Sequence, residues 1–255
     1  MRQREEKDSG RIDEKRFDAA RNKIIGMQRE HAGIGTLREK TFHAVMKNYY
    51  APDERMQEIA VGNYVADIYT GERIIEIQNG NFYKIRDKLD AFLAEYPVTV
   101  VYPIPHKKWL IWIDEETGEL SSKRKSPLTG SAYSAFAELY RIKNYLTYEN
   151  LHLRFPLVDI EEYRLLNGWS KDKKRGSCRY DRIPVALFDE VVIERREDYL
   201  QFLPDGLPET FTSAELAGQA KIPARTSGLV LNILTYLEVT EKIGRKGRAY
   251  LYRVK

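Results

Sequence analysis

The spacing of apolar residues changes along the chain, and each change marks an element. Residues 1–10 are polar and charged and read as disordered. Over 11–30 a charged helix carries a thin apolar stripe of Phe17, Ile24 and Met27, and "HAGIG" at 31–35 breaks it. Thr36 then caps a helix reaching about Tyr49, with Glu39 completing a capping box, and Pro52 ends it. Residues 57–69 and 73–78 have strand composition, with Thr70-Gly71-Glu72-Arg73 as the turn between them. From Asn81 onward Phe82, Ile85, Leu89 and Phe92 recur at helical spacing until Pro97. The nearly continuous apolar run "VTVVYPI", 98–104, suits a strand buried on both faces. "WLIWIDEETGEL" reads as a hairpin around Glu116-Thr117-Gly118, residues 131–146 as helix, and 151–166 as a strand broken near Pro156.

Strands interleaved with helices predict an α/β core, a mixed sheet flanked by helices. The pattern shifts near residue 204, where "PDGLPETF" forms a Pro-rich joint. Beyond it Thr212 and Glu215 make a capping box for a short helix, and Lys221-Ile222-Pro223 is a turn. A helix from about Ala224 to Leu237 and a hairpin, Val239–Ile243 against Ala249–Val254 with "GRKGR" at its tip, complete the chain. The expected organisation is a charged helical extension (1–35), a main domain (36–203) and a small C-terminal domain (204–255).

Composition narrows the function classes. The chain has 255 residues, 31% of them charged, and no apolar run long enough to span a membrane. A charged N-terminus without an apolar core and a single cysteine, Cys178, point to the cytoplasm and exclude a disulfide framework. One cysteine and four scattered histidines argue against structural zinc. The net charge of +4 is unevenly spread: +3 over 1–40, +4 over 168–182 and +6 over 220–255, which leaves the remainder at −9. Basic patches on an acidic body fit a partner that is a polyanion, foremost nucleic acid.

Candidate chemistry centres on "VADIYTGERIIEIQNG", 65–80. Gly71 suits the first central position of a type II′ turn. If Thr70 and Arg73 close that turn, Asp67 lies opposite Glu76, and cross-strand partners have Cβ atoms roughly 4.5–5.5 Å apart. Gln78 shares a face with Glu76. Adjacent carboxylates repel unless a proton, a cation or open water relieves them. A divalent metal fits the pair, although Asp67 exposed beside a turn and Glu76 paired with Arg73 or Lys84 would satisfy the same sequence.

These elements resemble the PD-(D/E)XK nuclease superfamily, in which a helix bearing a glutamate precedes a hairpin that supplies an aspartate and then a Glu-x-Lys pair. The matching positions are Glu39, Asp67 and Glu76-Ile77-Gln78, with glutamine where the family usually has lysine. The resemblance implies a restriction-endonuclease-like core in which Asp67 and Glu76 hold Mg²⁺ or Mn²⁺ and Glu39 assists. It implies hydrolysis of DNA phosphodiester bonds by a restriction-type or junction-resolving enzyme, possible as a homodimer. Gln78 would orient water without supplying charge, and Lys84 on the next helix is the expected compensating cation. The alternative is a DNA-binding protein or regulator with a degenerate nuclease core.

The C-terminal 45 residues resemble a winged helix. The resemblance implies double-stranded DNA read by Arg225, Thr226, Ser227 and Asn232 on the second helix, with Arg245, Lys246 and Arg248 on the wing meeting the backbone. Residues 168–182, with Lys173, Lys174 and Arg175, read as a basic loop. Trp169 and Tyr180 there either stack on bases or anchor the loop to the core.

Overall fold

In the computed structural model the described residues are 12–31, 41–169 and 175–255. Two helices open the fold, α1 (Glu14–His31) and α2 (Thr41–Tyr50). The segment expected as one strand over 57–69 is itself a hairpin, β1 (Gln57–Val61) and β2 (Tyr64–Tyr69), because Gly62 at φ +58° turns the chain after Val61. The turn at Gly71, φ +92°, leads into β3 (Ile74–Ile77). A 3₁₀ turn at Phe82–Ile85 runs into α3 (Arg86–Leu93), followed by β4 (Val98–Val101) and β5 (Ile104–Asp114). After a short β6 (Arg124–Lys125), residues 132–147 are helical, mostly 3₁₀ with α4 (Phe136–Leu139) at the centre.

Two 19-residue strands then form a long hairpin, β7 (Leu151–Trp169) and β8 (Arg175–Ile193). This corrects two expectations. The strand does not break at Pro156, which pairs with Glu190 in an antiparallel ladder that tolerates bulges. Residues 175–182 are strand rather than loop, paired back onto β7.

β1, β2 and β3 are antiparallel neighbours, β3 and β4 are parallel, and β4 and then β5 run parallel along one edge of β7. β8 covers the other edge of β7. The sheet is thus mixed and has helices on both faces. On one face Phe17, Phe42, Val45 and Met46 of α1 and α2 pack on Ile68, Ile77, Val101, Val158 and Ile160. On the other, Phe82, Leu89 and Phe92 pack on Ala66, Ile74, Val98 and Val100. Val98–Val101 is buried at every position, as a strand covered on both faces requires.

The C-terminal residues build a separate three-stranded antiparallel sheet, order β10 (Thr240–Lys246), β11 (Ala249–Val254), β9 (Thr210–Phe211), with α5 (Ser213–Ala220) and α6 (Ala224–Tyr236) against it. The capping box at Thr212 and Glu215 forms. β10 runs through Lys246, so only Gly247 and Arg248 are left at the hairpin tip. The Pro-rich joint separates two sheets but not two cores. Phe211, Val230, Leu231 and Leu234 belong to the same apolar cluster as Phe136, Leu139 and Phe202.

That shared cluster makes the stability of the two sheets one quantity. Leu234→Ala removes a fully buried side chain and should cost roughly 2–5 kcal/mol. We expect a single thermal transition that moves down as a whole, and truncation after Pro204 should lower the melting point of the remaining chain by baring Phe136 and Phe202. Two independent transitions in calorimetry would contradict this.

Candidate active site

The hairpin closes as its turn chemistry demands: Thr70 N–H donates to the Arg73 carbonyl at 3.0 Å. Tyr69 pairs with Ile74 and Ile68 with Ile75, the register that sets Asp67 against Glu76. At that next step the backbone ladder stops. Asp67 N–H donates to Glu76 Oε1 at 3.2 Å, and Ile77 N–H donates to Asp67 Oδ2 at 2.8 Å. The strands part, and the two carboxylates fill the opening by taking over the backbone's hydrogen bonds.

Each carboxylate is met from a different layer. His43, in the first turn of α2, sets Nε2 3.4 Å from Asp67 Oδ2. Lys88, on α3, donates to Glu76 Oε2 at 2.8 Å, to Oε1 at 3.1 Å and to the Val65 carbonyl at 2.7 Å. The Glu76 side chain is only 1% exposed, whereas that of Asp67 is 20% exposed. Asp67 Oδ1 takes no hydrogen bond from the described residues and remains open to a ligand.

The environments push the two groups apart. Burial raises the Asp67 carboxyl, but the hydrogen bond and charge of His43, the Ile77 N–H and the charge of Lys88 outweigh it and hold the group below the ordinary aspartate range. Burial, and then the charge on Asp67, lift the Glu76 carboxyl above its ordinary range despite the bond from Lys88. The pair is a low-pKa and a high-pKa carboxyl sharing one opening, as expected where like charges meet away from water.

Gln78 follows on the same strand, its N–H bonded to the Val101 carbonyl at 2.8 Å. Its half-buried amide has no hydrogen-bond partner among the described residues and is available to a bound molecule. The expected compensating cation is corrected: Lys84 is solvent-exposed in the 3₁₀ turn, and Lys88 one turn later meets Glu76. The buried positions of this segment, Phe82, Ile85, Leu89 and Phe92, are the ones its helical spacing predicts, and Lys88 follows Lys84 by four residues. His43 was also missed; its only signal is its place four residues after Glu39. Glu39 itself lies outside the described residues, as do Lys173 and Lys174.

Among the described residues no cluster of three or more His, Cys, Asp or Glu side chains is arranged to hold a metal. A hard divalent cation that keeps several waters needs only one or two carboxylates, and Asp67 with Glu76 supplies them. The donor set therefore fits Mg²⁺ or Mn²⁺, with Lys88 competing for the oxygens of Glu76.

The C-terminal residues fall into place unevenly. Arg225 and Asn232 are exposed on α6 and Thr226 is half-buried, but Ser227 is fully buried and its hydroxyl donates to the Ala224 carbonyl. Ser227 is thereby removed from any groove contact. Lys143, from the helical segment before β7, lies 3.4 Å from the Asn232 amide oxygen and between the rings of Tyr140 and Tyr236. On the hairpin Arg245 stacks on Tyr250 and bonds its hydroxyl, Lys246 lies 3.6 Å from Glu215, and Arg248 stands exposed at the tip. Arg175 starts β8, its backbone paired with Trp169.

Residues 40–194 match the family described as "Domain of unknown function (DUF8091)", and the protein belongs to that family. The chain is also 26% identical over 191 residues to an uncharacterized protein of Treponema pallidum (strain Nichols), which covers 72% of this chain and 73% of that one. No solved structure matches it. The family match contains the whole parted hairpin and both long strands. Among the described residues no helix is long and apolar enough to cross a membrane.

The raised Glu76 carboxyl sets a pH dependence. Between its unfolded value near 4.5 and its higher folded value the native state holds the extra proton, so rising pH costs stability. Glu76→Gln has no such proton, so the wild type should lose stability relative to it as pH climbs through that window. At neutral pH, saturating Mg²⁺ should raise the wild-type melting point by the equivalent of about 2.7 kcal/mol at a hundredfold excess over Kd, and should leave Glu76→Gln unmoved. An equal shift in both proteins would remove Glu76 as a ligand.

Proposed function

We propose that the protein is a metal-dependent phosphodiesterase acting on DNA, with a PD-(D/E)XK-like site at Asp67, Glu76 and Gln78 and a winged-helix-like C-terminal unit. The observation that carries this reading is the interrupted ladder: two carboxylates inserted where the strands part, next to an unengaged amide and an ammonium, at the carboxyl end of a strand paired in parallel with β4. Ligands in open α/β sheets bind outside such strand ends.

Bound Mg²⁺ or Mn²⁺ would lower the pKa of a coordinated water and offset charge on the phosphate. The chain's own groups do the rest. Asp67 and Glu76 would hold the cation. Gln78 orients the nucleophilic water by hydrogen bonding and cannot deprotonate it. Lys88, bonded to Glu76, would supply the positive charge that the glutamine lacks. His43 holds Asp67 in place from the α2 side. Arg225, Thr226 and Asn232 on α6 and Arg245, Lys246 and Arg248 on the hairpin are the duplex contacts, joined by Lys143.

One observation favours a second reading. Lys88 reaches both oxygens of Glu76 and neutralises it without a metal, as in a DNA-binding protein whose nuclease core has ceased to cut. Incubation with supercoiled plasmid in Mg²⁺, Mn²⁺ or EDTA separates the two. We expect nicking with metal and none in EDTA, and complete loss in Asp67→Ala and Glu76→Ala. Lys88→Ala should fall by about 10²–10³ in rate, the scale for losing one charge-stabilising donor. Gln78→Lys in that background should restore part of it. Nicking by Asp67→Ala at the wild-type rate would remove the site.

A further inference from the structure

Two adjoining surface depressions share one lysine. The first, of about 270 Å³, lies between α6, the β10–β11 hairpin and the helical segment before β7, and is lined by Lys143, Asn232, Tyr236, Lys242 and Tyr252 among others. The second, of about 150 Å³, continues from Lys143 along that segment to Tyr140, Arg141 and Tyr145 and meets Arg86 of α3. Together they form a furrow from the C-terminal unit to the helices of the main sheet. Its walls keep a fixed spacing, because Phe136 and Leu139 share one apolar cluster with Val230 and Leu234 of α6.

Among the described residues no carboxylate lines either depression. Two of its cations are already engaged: Arg141 pairs with Glu138 at 3.3 Å, and Arg86 donates from Nε to the Arg141 carbonyl at 2.8 Å and stacks on Tyr83. The other two have no carboxylate partner among the described residues. Lys143 Nζ lies 3.4 Å from the Asn232 amide oxygen, and Lys242 Nζ lies 4.6 Å from the centre of the Tyr250 ring. Beyond Arg86 the next depression carries Asp90, which accepts from the Tyr145 hydroxyl at 2.8 Å, and the cationic stretch ends there.

Tyrosines alternate with these cations. Tyr140 is 47% exposed and Tyr236 40%. Lys143 Nζ stands 5.4 Å and 4.7 Å from their ring centres and covers at most one face of each. Open ring faces beside unneutralised ammonium groups suit a polyanion that carries flat apolar groups between its charges. A base inside a duplex shows a protein only its edge. An unpaired base shows its face, and only a face can stack on a tyrosine.

We propose that the furrow seats an unpaired stretch of DNA, with bases on Tyr140 and Tyr236 and phosphates on Lys143 and Lys242. This rests on the reading of the protein as one that acts on DNA and deepens it. The substrate joins a duplex, met by Arg225 and the hairpin tip, to a single strand lying across Lys143.

The test is fluorescence anisotropy of a labelled oligo-dT and of a labelled duplex, in EDTA over a range of salt, with the full chain. Tyr140→Ala/Tyr236→Ala should weaken the single strand about tenfold or more and leave its log-log salt slope unchanged, because stacking carries no charge. The same variant should move duplex affinity by less than about twofold, since paired bases have no free face to stack. Tyr140→Phe/Tyr236→Phe should bind as the wild type does. Lys143→Gln/Lys242→Gln should flatten the single-strand slope by about 1.4, two phosphate contacts at about 0.7 each. If Tyr236→Ala lowers the melting point, Tyr140→Ala alone should still weaken the single strand about threefold or more. Wild-type single-strand binding in the tyrosine and lysine variants would overturn the proposal. Equal losses on single strand and duplex in the tyrosine variant, or no single-strand binding by the wild type, would overturn it as well. Losses as described in a protein that never nicks plasmid would sink the phosphodiesterase reading alone.

Discussion

The burial of Glu76 in the opening between β2 and β3 is the constraint from which much of the site follows. An ionised carboxylate taken out of water costs several kcal/mol unless charge and hydrogen bonds replace its hydration. Here the Asp67 N–H and Lys88 replace it. Lys88 stands on α3, which follows a 3₁₀ turn entered through Asn81 in a left-handed conformation at φ 55°. Phe82, Leu89 and Phe92 then lock that helix against the sheet. The helix is therefore positioned by its apolar face and addressed to the site by one lysine. The same arrangement leaves Asp67 ionised and partly open on the α2 side, so the two carboxylates differ in reach as well as in proton affinity.

Much of this was legible in the sequence, and the parts that were not have identifiable causes. The Thr-Gly-Glu-Arg turn fixed a register, and the register alone put Asp67 against Glu76, because strand pairing is set by turn geometry. The apolar period over 81–93 fixed which side chains are buried. Periodicity does not show which of the polar positions between them reaches the hairpin, and so it does not separate Lys84 from Lys88. β8 was concealed for a different reason. Its first half, with Arg175, Arg179 and Arg182, lies in an arm whose faces are only partly covered, so the hydrophobic alternation that announces a strand is replaced by charges that resemble a loop. Ser227 was misassigned because its position near the start of α6 says nothing of which face is turned inward.

The joint near residue 204 illustrates a limit of reading boundaries from composition. Two prolines and a glycine separate the apolar patterns, yet Val230, Leu231 and Leu234 of α6 enter the same cluster as Phe136, Leu139 and Phe202. Turn-forming residues govern the local path of the chain and not what the following helix packs against. A shared core also has a consequence for recognition. An appended unit on a flexible tether would find its partner independently of the main sheet, with a linker-dependent effective concentration. A unit bonded through a common core holds α6 and the β10–β11 hairpin in a fixed relation to the sheet.

That fixed relation bears on how charge is used. Several of the described basic residues sit in local groups organised around an acidic or aromatic anchor. Arg245 and Lys242 flank Tyr250, Lys143 lies between Tyr140 and Tyr236, and four cations surround Glu162. An anchor restricts the rotamers of long side chains before any ligand arrives, so less side-chain entropy is lost on contact with a partner. Anchoring also lowers repulsion within each group, which permits several cations to be held close together on a protein whose net charge is only +4. A polyanion spanning these groups would meet a surface already in shape, at positions set by one core. The sequence shows the same side chains as scattered basic runs, because the anchors that gather them are contributed by other strands and helices.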